Sequence, residues 1–267
     1  MTDKYAVIGN PIGHSKSPII HQAFAKQTGE DISYEAILAP LDGFEATVQT
    51  LIAEGYKGAN VTVPFKFEAY QLCDSLSARV VSSGSGAVNT LINIHGKLHG
   101  DNTDGVGLRN DIEKNLGFGI ADRDILILGA GGAAHGVLNS LLGASSITIA
   151  NRTHEKALEL VMGIKDCEAN ACTFDSLEKP YDFIINATST GLTDTALPIP
   201  SSIFAPGCLA YDMMYGRETP FMKQAREAGA QVADGLGMLV EQAAEAFYLW
   251  RGVRPLTQPV IAQLRNA

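Results

Sequence analysis

The sequence predicts an α/β protein, and three observations carry that prediction. Ile125-Leu126-Ile127-Leu128 is an apolar run of strand length that enters a glycine turn, Gly129-Ala130-Gly131-Gly132, and leaves it through the helix-compatible Ala133-Ala134-His135-Gly136. Beyond Asn151 the chain goes on in the same manner, helical spacing alternating with short strand-like runs. Finally, 267 residues with 46% hydrophobic content suffice for two modest domains or one large one around a real core.

The glycine turn has chemical content. Gly129, Gly131 and Ala134 match G-x-G-x-x-(G/A), in which the first two glycines allow a sharp turn and a close approach to a ligand. The small third residue lets helix and strand pack together. N–H groups of Ala130, Gly131, Gly132 and Ala133 then face whatever anion sits at the helix N-terminus, and a dinucleotide pyrophosphate is the usual occupant. The next strand, Ser146 to Ala150, ends at Asn151-Arg152-Thr153, where an NAD site would place an Asp or Glu for the ribose hydroxyls. No carboxylate stands there. Asn151 can hydrogen-bond a sugar, Arg152 offers a planar fork to a 2′-phosphate and Lys156 adds a second positive charge, which reads as NADP.

Composition excludes several classes. A net charge of −9 leaves no basic stripe for nucleic acid, so anionic ligands must be caught locally. Cys73, Cys167, Cys172 and Cys208 form no C-x-x-C pair and no zinc-ligand spacing, and read as reduced, mostly buried thiols of a cytoplasmic protein. No run of 18 apolar residues and no leader-like N-terminus occurs, so neither a membrane span nor a signal peptide is expected.

Taken in order, Tyr5 to Gly9 reads as a buried strand, followed by the turn-rich loop Asn10 to Pro18 and a helix with Ile19, Ile20, Ala23 and Phe24 on its apolar face. Ser17-Pro18 is an N-cap and N1 pairing, whereas Ser15 has no capping role and stands where open α/β sheets bind ligands. His14 and His21 are expected in the loop and on the helix face. Tyr34 to Leu38 is a second strand, and Asp42 to Glu54 a helix ending at Gly55. In Gly58 to Lys66, strand periodicity puts Asn60 and Thr62 on one face and Val61 and Val63 on the other, with Lys66 just past Pro64. A polar face leading into a lysine suggests the wall of a cleft.

Gly84 to Ile92 carries another strand, and Asn93 to Lys97 a turn. In Gly100-Asp101-Asn102-Thr103-Asp104-Gly105 one residue could cap the helix predicted over Val106 to Leu116, but capping does not explain two aspartates and an asparagine together. A carboxylate at that loop-helix junction is well placed to face Lys66. Gly117-Phe118-Gly119 is a candidate boundary, unless the helix before it is itself the connection. Glu155 to Ile164 is a helix, and Tyr181 to Asn186 a strand leading into Ala187-Thr188-Ser189-Thr190-Gly191. Cys208 to Asp212 is a strand followed by Met213-Met214-Tyr215. Thr219-Pro220 starts a helix, Gln231 to Ala233 is a last strand, and Asp234-Gly235-Leu236-Gly237 leads into a helix from Met238 to Trp250 with Glu241 and Glu245 outward. A final helix follows Pro259.

Together, Asn60 to Lys66, Gly86-Ala87-Val88-Asn89-Thr90, Gly100 to Gly105, Asn151-Arg152-Thr153, Asn186-Ala187-Thr188-Ser189 and Asp234 to Leu239 resemble the shikimate dehydrogenase family, from Tyr5 to the C-terminal helix. The resemblance implies two domains, an N-terminal α/β substrate-binding domain (1–101 with 238–267) and a Rossmann-like NADP-binding domain (102–237), with C-terminal helices returning to the first. It implies reversible reduction of 3-dehydroshikimate by NADPH, on the way to chorismate and the aromatic amino acids. Lys66 and Asp104 would be the catalytic pair. Ser15, Ser17, Asn60, Thr62, Asn89, Tyr215 and Gln242 would hold the substrate. Thr188 and Met238 would join the glycine turn at the cofactor, and the backbone of Met213 and Gly235 would meet the nicotinamide. Two positions depart from the family pattern: His135, often arginine, and Ala78, often acidic.

Elementary chemistry agrees. Reducing a ketone by hydride leaves an alkoxide, so a group must deliver a proton or offset the charge, and Lys66 oriented by Asp104 can do this. Titration would belong to the pair. No metal is needed. Against this reading stand a quinate/shikimate dehydrogenase using NAD, which would prefer an acidic residue in Asn151 to Lys156, and a binding module without turnover, against which the presence of both Lys66 and Asp104 counts. A monomer or homodimer, with no nucleic acid or membrane partner, is expected.

Overall fold

The computed structural model describes residues 2–84, 86–164, 167–190 and 195–266. Ser85 and Gly191, which the sequence reading placed at a strand start and a loop end, lie outside the described residues. The chain divides into two compact units, Met1–Leu108 with Leu239–Ala267, and Arg109–Met238. Sequence reasoning set the junctions at 102 and 237. The observed first junction is later because the turn carrying Asp104 is hydrogen-bonded to Asn89 and so belongs with the first unit.

The first unit is built from β1 (Asp3–Gly9), α1 (Ser17–Thr28), β2 (Ile32–Leu38), α2 (Phe44–Ala53), β3 (Gly58–Val61), α3 (Lys66–Leu72), β4 (Ser75–Leu76), α4 (Ala78–Ser83), β5 (Thr90–Ile94), β6 (Lys97–Asp101) and α5 (Asp104–Asn110). Its sheet runs β2-β1-β3-β5-β6-β4. β2, β1 and β3 are mutually parallel, and β5 is antiparallel to both β3 and β6. This arrangement brings four segments to one edge: the loops after β1, β3 and β6, and the chain entering β5.

Alternation along β1 explains why both faces are covered. Ala6 and Ile8 join Phe44, Val48, Leu51, Phe65 and Leu91 on one side, while Tyr5 and Val7 join Ile12 and Tyr34 on the other. Each such fully buried Leu, Ile or Phe contributes roughly 1.5–3 kcal/mol. The long helix Leu236–Arg251 closes the second face from the far end of the sequence: Trp250 stacks on Tyr5 at 4.6 Å and donates to the Leu91 carbonyl at 3.1 Å.

The second unit holds β7 (Asp124–Leu128), α6 (Gly132–Val137), β8 (Ser146–Ala150), α7 (His154–Val161), β9 (Glu168–Cys172), β10 (Tyr181–Asn186), β11 (Phe204–Asp212), α8 (Pro220–Glu227) and β12 (Gln231–Asp234). From β12, α9 (Leu236–Arg251) leads back to α10 (Gln258–Arg265). The sheet order β12-β11-β10-β7-β8-β9 is wholly parallel, and its central strands carry apolar residues on both faces, Ile125 to Leu128 in β7 and Phe183 to Ile185 in β10, as a helix-covered sheet requires. The order reverses between β7 and β10. Such a switch point opens a crevice at the carboxyl ends of the two strands.

Several expectations change. Ser17 does not cap α1: Lys16 is the N-cap, without a side-chain hydrogen bond, and Ser17 is buried inside the first turn. Thr219 does cap α8, accepting from Met222 N–H. The helix expected over Val106 to Leu116 is α5 followed by a wider π turn, Asp111–Asn115, which directs Asp111 to the Tyr211 hydroxyl at 2.7 Å. Val63 is exposed rather than packed opposite Thr62, because β3 ends at Val61. Glu241 and Glu245 are buried rather than outward. Glu245 lies between Arg79 at 3.0 Å and Arg254 at 2.8 Å, and although burial opposes ionisation, these two guanidiniums hold its carboxyl below the usual range.

His21 is not a surface residue of its helix. Its ring is fully buried and stacks on Tyr34, with centroids 4.1 Å apart and planes 7° apart. Burial pushes its pKa down to about 3, offset only slightly by the nearby Asn60 amide, and neither ring nitrogen is hydrogen-bonded. Of the four cysteines, none in a disulfide among the described residues, Cys208 is buried and Cys73, Cys167 and Cys172 are half-buried. Among the described residues no helix is long and apolar enough to cross a membrane, and no group of His, Cys, Asp and Glu could hold a metal.

Candidate active site

At the shared edge of the first sheet, chemistry-bearing side chains converge. Pro64 ends the extended segment after β3 and the chain turns into α3 with Lys66 at its first position. Asp104 occupies the first position of α5, just past β6. Lys66 Nζ donates to Asp104 Oδ2 at 2.5 Å, with side-chain exposures of 15% and 9%. Both are sheltered enough to strengthen the pair, yet open enough to meet a ligand.

Asp104 is held from behind. Its Oδ1 accepts from Asn89 Nδ2 at 2.8 Å, and its backbone N–H is taken by Asn102 Oδ1 at 3.1 Å. Asn102 Nδ2 in turn donates to the Ala87 carbonyl, and Asp101 accepts from Ser77 Oγ and Asn102 N–H. These contacts account for the polar run after Gly100, whose members fix one another and the loop. Asn89 Oδ1 accepts Thr103 N–H at 2.8 Å and Thr90 Oγ1 at 2.8 Å. Thr103 Oγ1 lies 3.4 Å from Gln242 Oε1, which brings the predicted Gln242 of α9 to the same group.

Of the remaining residues predicted for this site, Ser15, Ser17, Asn60 and Thr62 lie in the same unit as the Lys66–Asp104 pair. Ser15 lies in the loop after β1 and its hydroxyl accepts Ser17 N–H at 3.3 Å. Asn60 lies buried in β3, one residue before its end, donating to the Asn89 carbonyl at 3.2 Å and to Thr90 Oγ1 at 3.1 Å. Thr62 N–H is taken by the Ile8 carbonyl, and its methyl leaves no space for a side chain at Gly9, where a Cβ would come within 2.5 Å. Tyr215 belongs to the second unit, in the loop after β11.

In the second unit the turn after β7 has the geometry its glycines allow. Gly129 has φ +102, and a Cβ there would meet Thr188 Cγ2 at 3.1 Å and the Ala187 backbone at 3.2 Å. Turn and Thr188 loop therefore meet at the switch point between β7 and β10. Gly131 precedes α6 as its N-cap, and a Cβ there would meet nothing within 4 Å, so this cradle is open above the N–H groups of Gly132 and Ala133. At the end of β8, Asn151 donates to the Thr153 carbonyl at 2.8 Å and so shapes the turn itself. Arg152 and Lys156 are exposed and, among the described residues, engage no other group. An open backbone cradle beside two uncommitted cations and no carboxylate fits a dinucleotide bearing a 2′-phosphate. His135 sits half-buried within α6, and Ala78 opens α4 behind its Ser77 cap.

Sequence reasoning missed the clasp that joins the next two loops. Buried Asp212 accepts from Asn186 Nδ2 at 3.1 Å, Thr219 Oγ1 at 2.5 Å and Met214 N–H at 2.9 Å, while Asn186 Oδ1 accepts Thr188 N–H and Oγ1. Burial raises the Asp212 pKa despite these three donors. Gly235 N–H donates to the Met214 carbonyl at 2.8 Å, and a Cβ at Gly235 would stand 2.4 Å from the Met213 carbonyl oxygen. Only glycine allows that approach. Met238, also predicted at the cofactor, is buried at the last position of this unit. An aspartate ending a strand and a Thr-Pro seven residues on were the available sequence signals for the clasp.

Models of known families match three stretches of this framework. Residues 7–91 match a shikimate dehydrogenase substrate binding domain, 111–193 a shikimate/quinate 5-dehydrogenase domain and 235–265 a shikimate 5'-dehydrogenase C-terminal domain. A protein named shikimate dehydrogenase (NADP(+)) from Methylobacillus flagellatus is 58% identical over 99% of this chain and 100% of its own length. The chain belongs to the shikimate dehydrogenase family. Among solved structures, an Ael1 enzyme from Pseudomonas putida is 45% identical with a TM-score of 0.92, covering 98% of both chains. A shikimate 5-dehydrogenase from Thermus thermophilus, in complex with NADP(H) and shikimate, is 31% identical with a TM-score of 0.87 over 99% of each chain. Family membership accounts for the pairing of a mixed-sheet unit with a doubly wound one.

Proposed function

We propose that the chain catalyses the reversible, NADP-dependent interconversion of 3-dehydroshikimate and shikimate, with Lys66 and Asp104 as the acid–base pair. The observation that carries this reading is the 2.5 Å Lys66–Asp104 contact, backed by Asn89 and sheltered at the loop edge of the first sheet. When bound, NADPH supplies the hydride that converts the ketone to an alkoxide. Lys66 delivers the proton to that oxygen, and in the opposite direction accepts it from the hydroxyl. Asp104 keeps the ammonium aimed and hydrogen-bonds the same hydroxyl. Ser15, Ser17, Asn60, Thr62, Asn89, Tyr215 and Gln242 receive the carboxylate and remaining hydroxyls, so an analogue lacking one hydroxyl leaves a protein group unpaired.

On the cofactor side, Gly129 to Ala133 receive the pyrophosphate, Arg152 and Lys156 the 2′-phosphate with Asn151 and Thr153 beside it, and Thr188, Met213, Gly235 and Met238 line the nicotinamide end. The protein works in the cytoplasm, a reading supported by cysteines that form no disulfide among the described residues, and acts as a monomer or homodimer. The test follows nicotinamide absorbance with purified protein, offering shikimate or quinate with NADP or NAD. Shikimate oxidation with NADP alone is expected. Turnover of quinate with NAD would replace this reading by the relaxed-specificity one, and cofactor binding without turnover by a binding module.

A further inference from the structure

Tyr34 is a residue of β2 whose side chain reaches the network at the loop edge of the first sheet. It is aligned with Tyr5 of β1, and its phenol crosses β1 to Asn60 on β3, whose own β1 partner is Val7. The phenol oxygen donates to Asn60 Oδ1 at 2.7 Å, and the Ser17 side chain lies close enough to favour its ionised form against burial. One buried hydroxyl thus ties together two residues on different elements, α1 and β3. Both stand among the groups read above as receiving substrate.

The bonds beyond Asn60 have a fixed direction. Because Asn60 Oδ1 accepts from Tyr34, its amide nitrogen must face the Asn89 carbonyl and Thr90 Oγ1. Thr90 Oγ1 then donates to Asn89 Oδ1, which leaves Asn89 Nδ2 to donate to Asp104 Oδ1. Asp104 Oδ2 accepts from Lys66. Donors run from the phenol toward the carboxylate without a conflict. Removing the phenol oxygen frees the Asn60 amide to turn over, which would set its oxygen against the Asn89 carbonyl, acceptor against acceptor.

Packing alone does not call for that oxygen. The ring lies flat on His21 at 4.1 Å, a contact phenylalanine would make equally well. A buried hydroxyl is unfavourable unless it is hydrogen-bonded, and here Asn60 accepts its proton with Ser17 beside it. Burial also keeps the phenol far from ionising, so it remains a donor at any working pH.

We propose that Tyr34 is a positioning residue for substrate recognition: its hydroxyl sets the Ser17 hydroxyl and the Asn60 amide in the orientation that receives shikimate's polar groups. The proposal rests on the reading of this site as the shikimate pocket. Tyr34→Phe removes one oxygen and keeps the ring. The KM for shikimate is expected to rise on the order of tenfold, the equivalent of one lost hydrogen bond, while the KM for NADP stays at the wild-type value. In an Asn60→Ala background the same change should have almost no further effect, since its target is gone. An unchanged shikimate KM, equal rises in both KM values, or full additivity with Asn60→Ala would overturn the proposal. So would failure of Tyr34→Phe to fold, since that would make the oxygen structural. A wild-type protein that does not oxidise shikimate would instead sink the reading beneath it.

Discussion

The two units gather their functional groups at carboxyl ends of strands, but with different materials. In the first unit the site is made of side chains: Lys66, Asp104, Asn89, Asn60 and Thr103 hydrogen-bond one another, and most are buried. In the second it is made of backbone: Gly129, Gly131 and Gly235 bring main chain where a Cβ would clash or fill a cradle, and the free charges, Arg152 and Lys156, stand at the surface. The difference follows from what each must handle. A pyrophosphate keeps its charge throughout, so fixed N–H groups suffice. A carbonyl that becomes an alkoxide needs a group whose proton can move, and such a group must be oriented by others.

That contrast breaks most sharply at Lys66. Lys66→Ala should lower kcat on the order of 10²-fold or more, with NADP affinity near wild type, because the loss is confined to the unit whose side chains act. Titrating NADP into the variant by fluorescence and following shikimate oxidation in parallel measures both. A variant that kept its turnover would remove Lys66 from the mechanism, and one that lost cofactor binding would erase the division of labour.

A second difference lies in how each unit treats a buried titratable group. Asp212 is buried with three donors around it, whereas His21 is buried among Tyr34, Phe24, Phe247 and Trp250, with the Asn60 amide nearby and neither ring nitrogen hydrogen-bonded among the described residues. A histidine held to about 3 in the folded chain binds its proton near 6.5 once unfolded. The unfolded state therefore takes up more protons between those values. The contribution of neutral His21 is complete above about pH 6.5 and fades as the pH falls toward 3, amounting to ~2 kcal/mol lost by pH 5. Urea unfolding at pH 7 and pH 5 should show that loss in the wild type and a shallower one in His21→Phe. Equal slopes in the two proteins would mean that the ring is reached by water or by a partner.

The doubly wound half was legible because its signals are local. An apolar run, a glycine turn and an alanine-rich start lie within twelve consecutive positions, and β7 and α6 stand where they predict. Lys66 and Asp104 are 38 residues apart, and only their common placement after strand ends, together with the family resemblance, brought them together in the sequence. Short elements escaped: β4, α4, β6 and β9 have two to six residues and no clear period. Glu245 was set outward because helical spacing knows nothing of Arg79, 166 positions away. The hydroxyl of Tyr34 was invisible for a related reason. Strand alternation tells which face a side chain takes, not which group it meets across an intervening strand.

The smallest effect belongs to the second unit's surface cations. Arg152 is exposed and, among the described residues, engages no other group, so Arg152→Ala should not disturb the fold. A guanidinium on a phosphate in solvent contributes about 1.4 kcal/mol, hence roughly a tenfold weaker NADP affinity, while NAD, which has no 2′-phosphate, should bind the variant and the wild type alike. Raising salt should narrow the NADP gap, since an exposed pair is screened within about 10 Å at 0.1 M. Calorimetric titration of both cofactors at two ionic strengths decides it. If NAD weakened in step with NADP, Arg152 would be holding the shared part of the molecule, and the surface charges could no longer be separated from the backbone cradle.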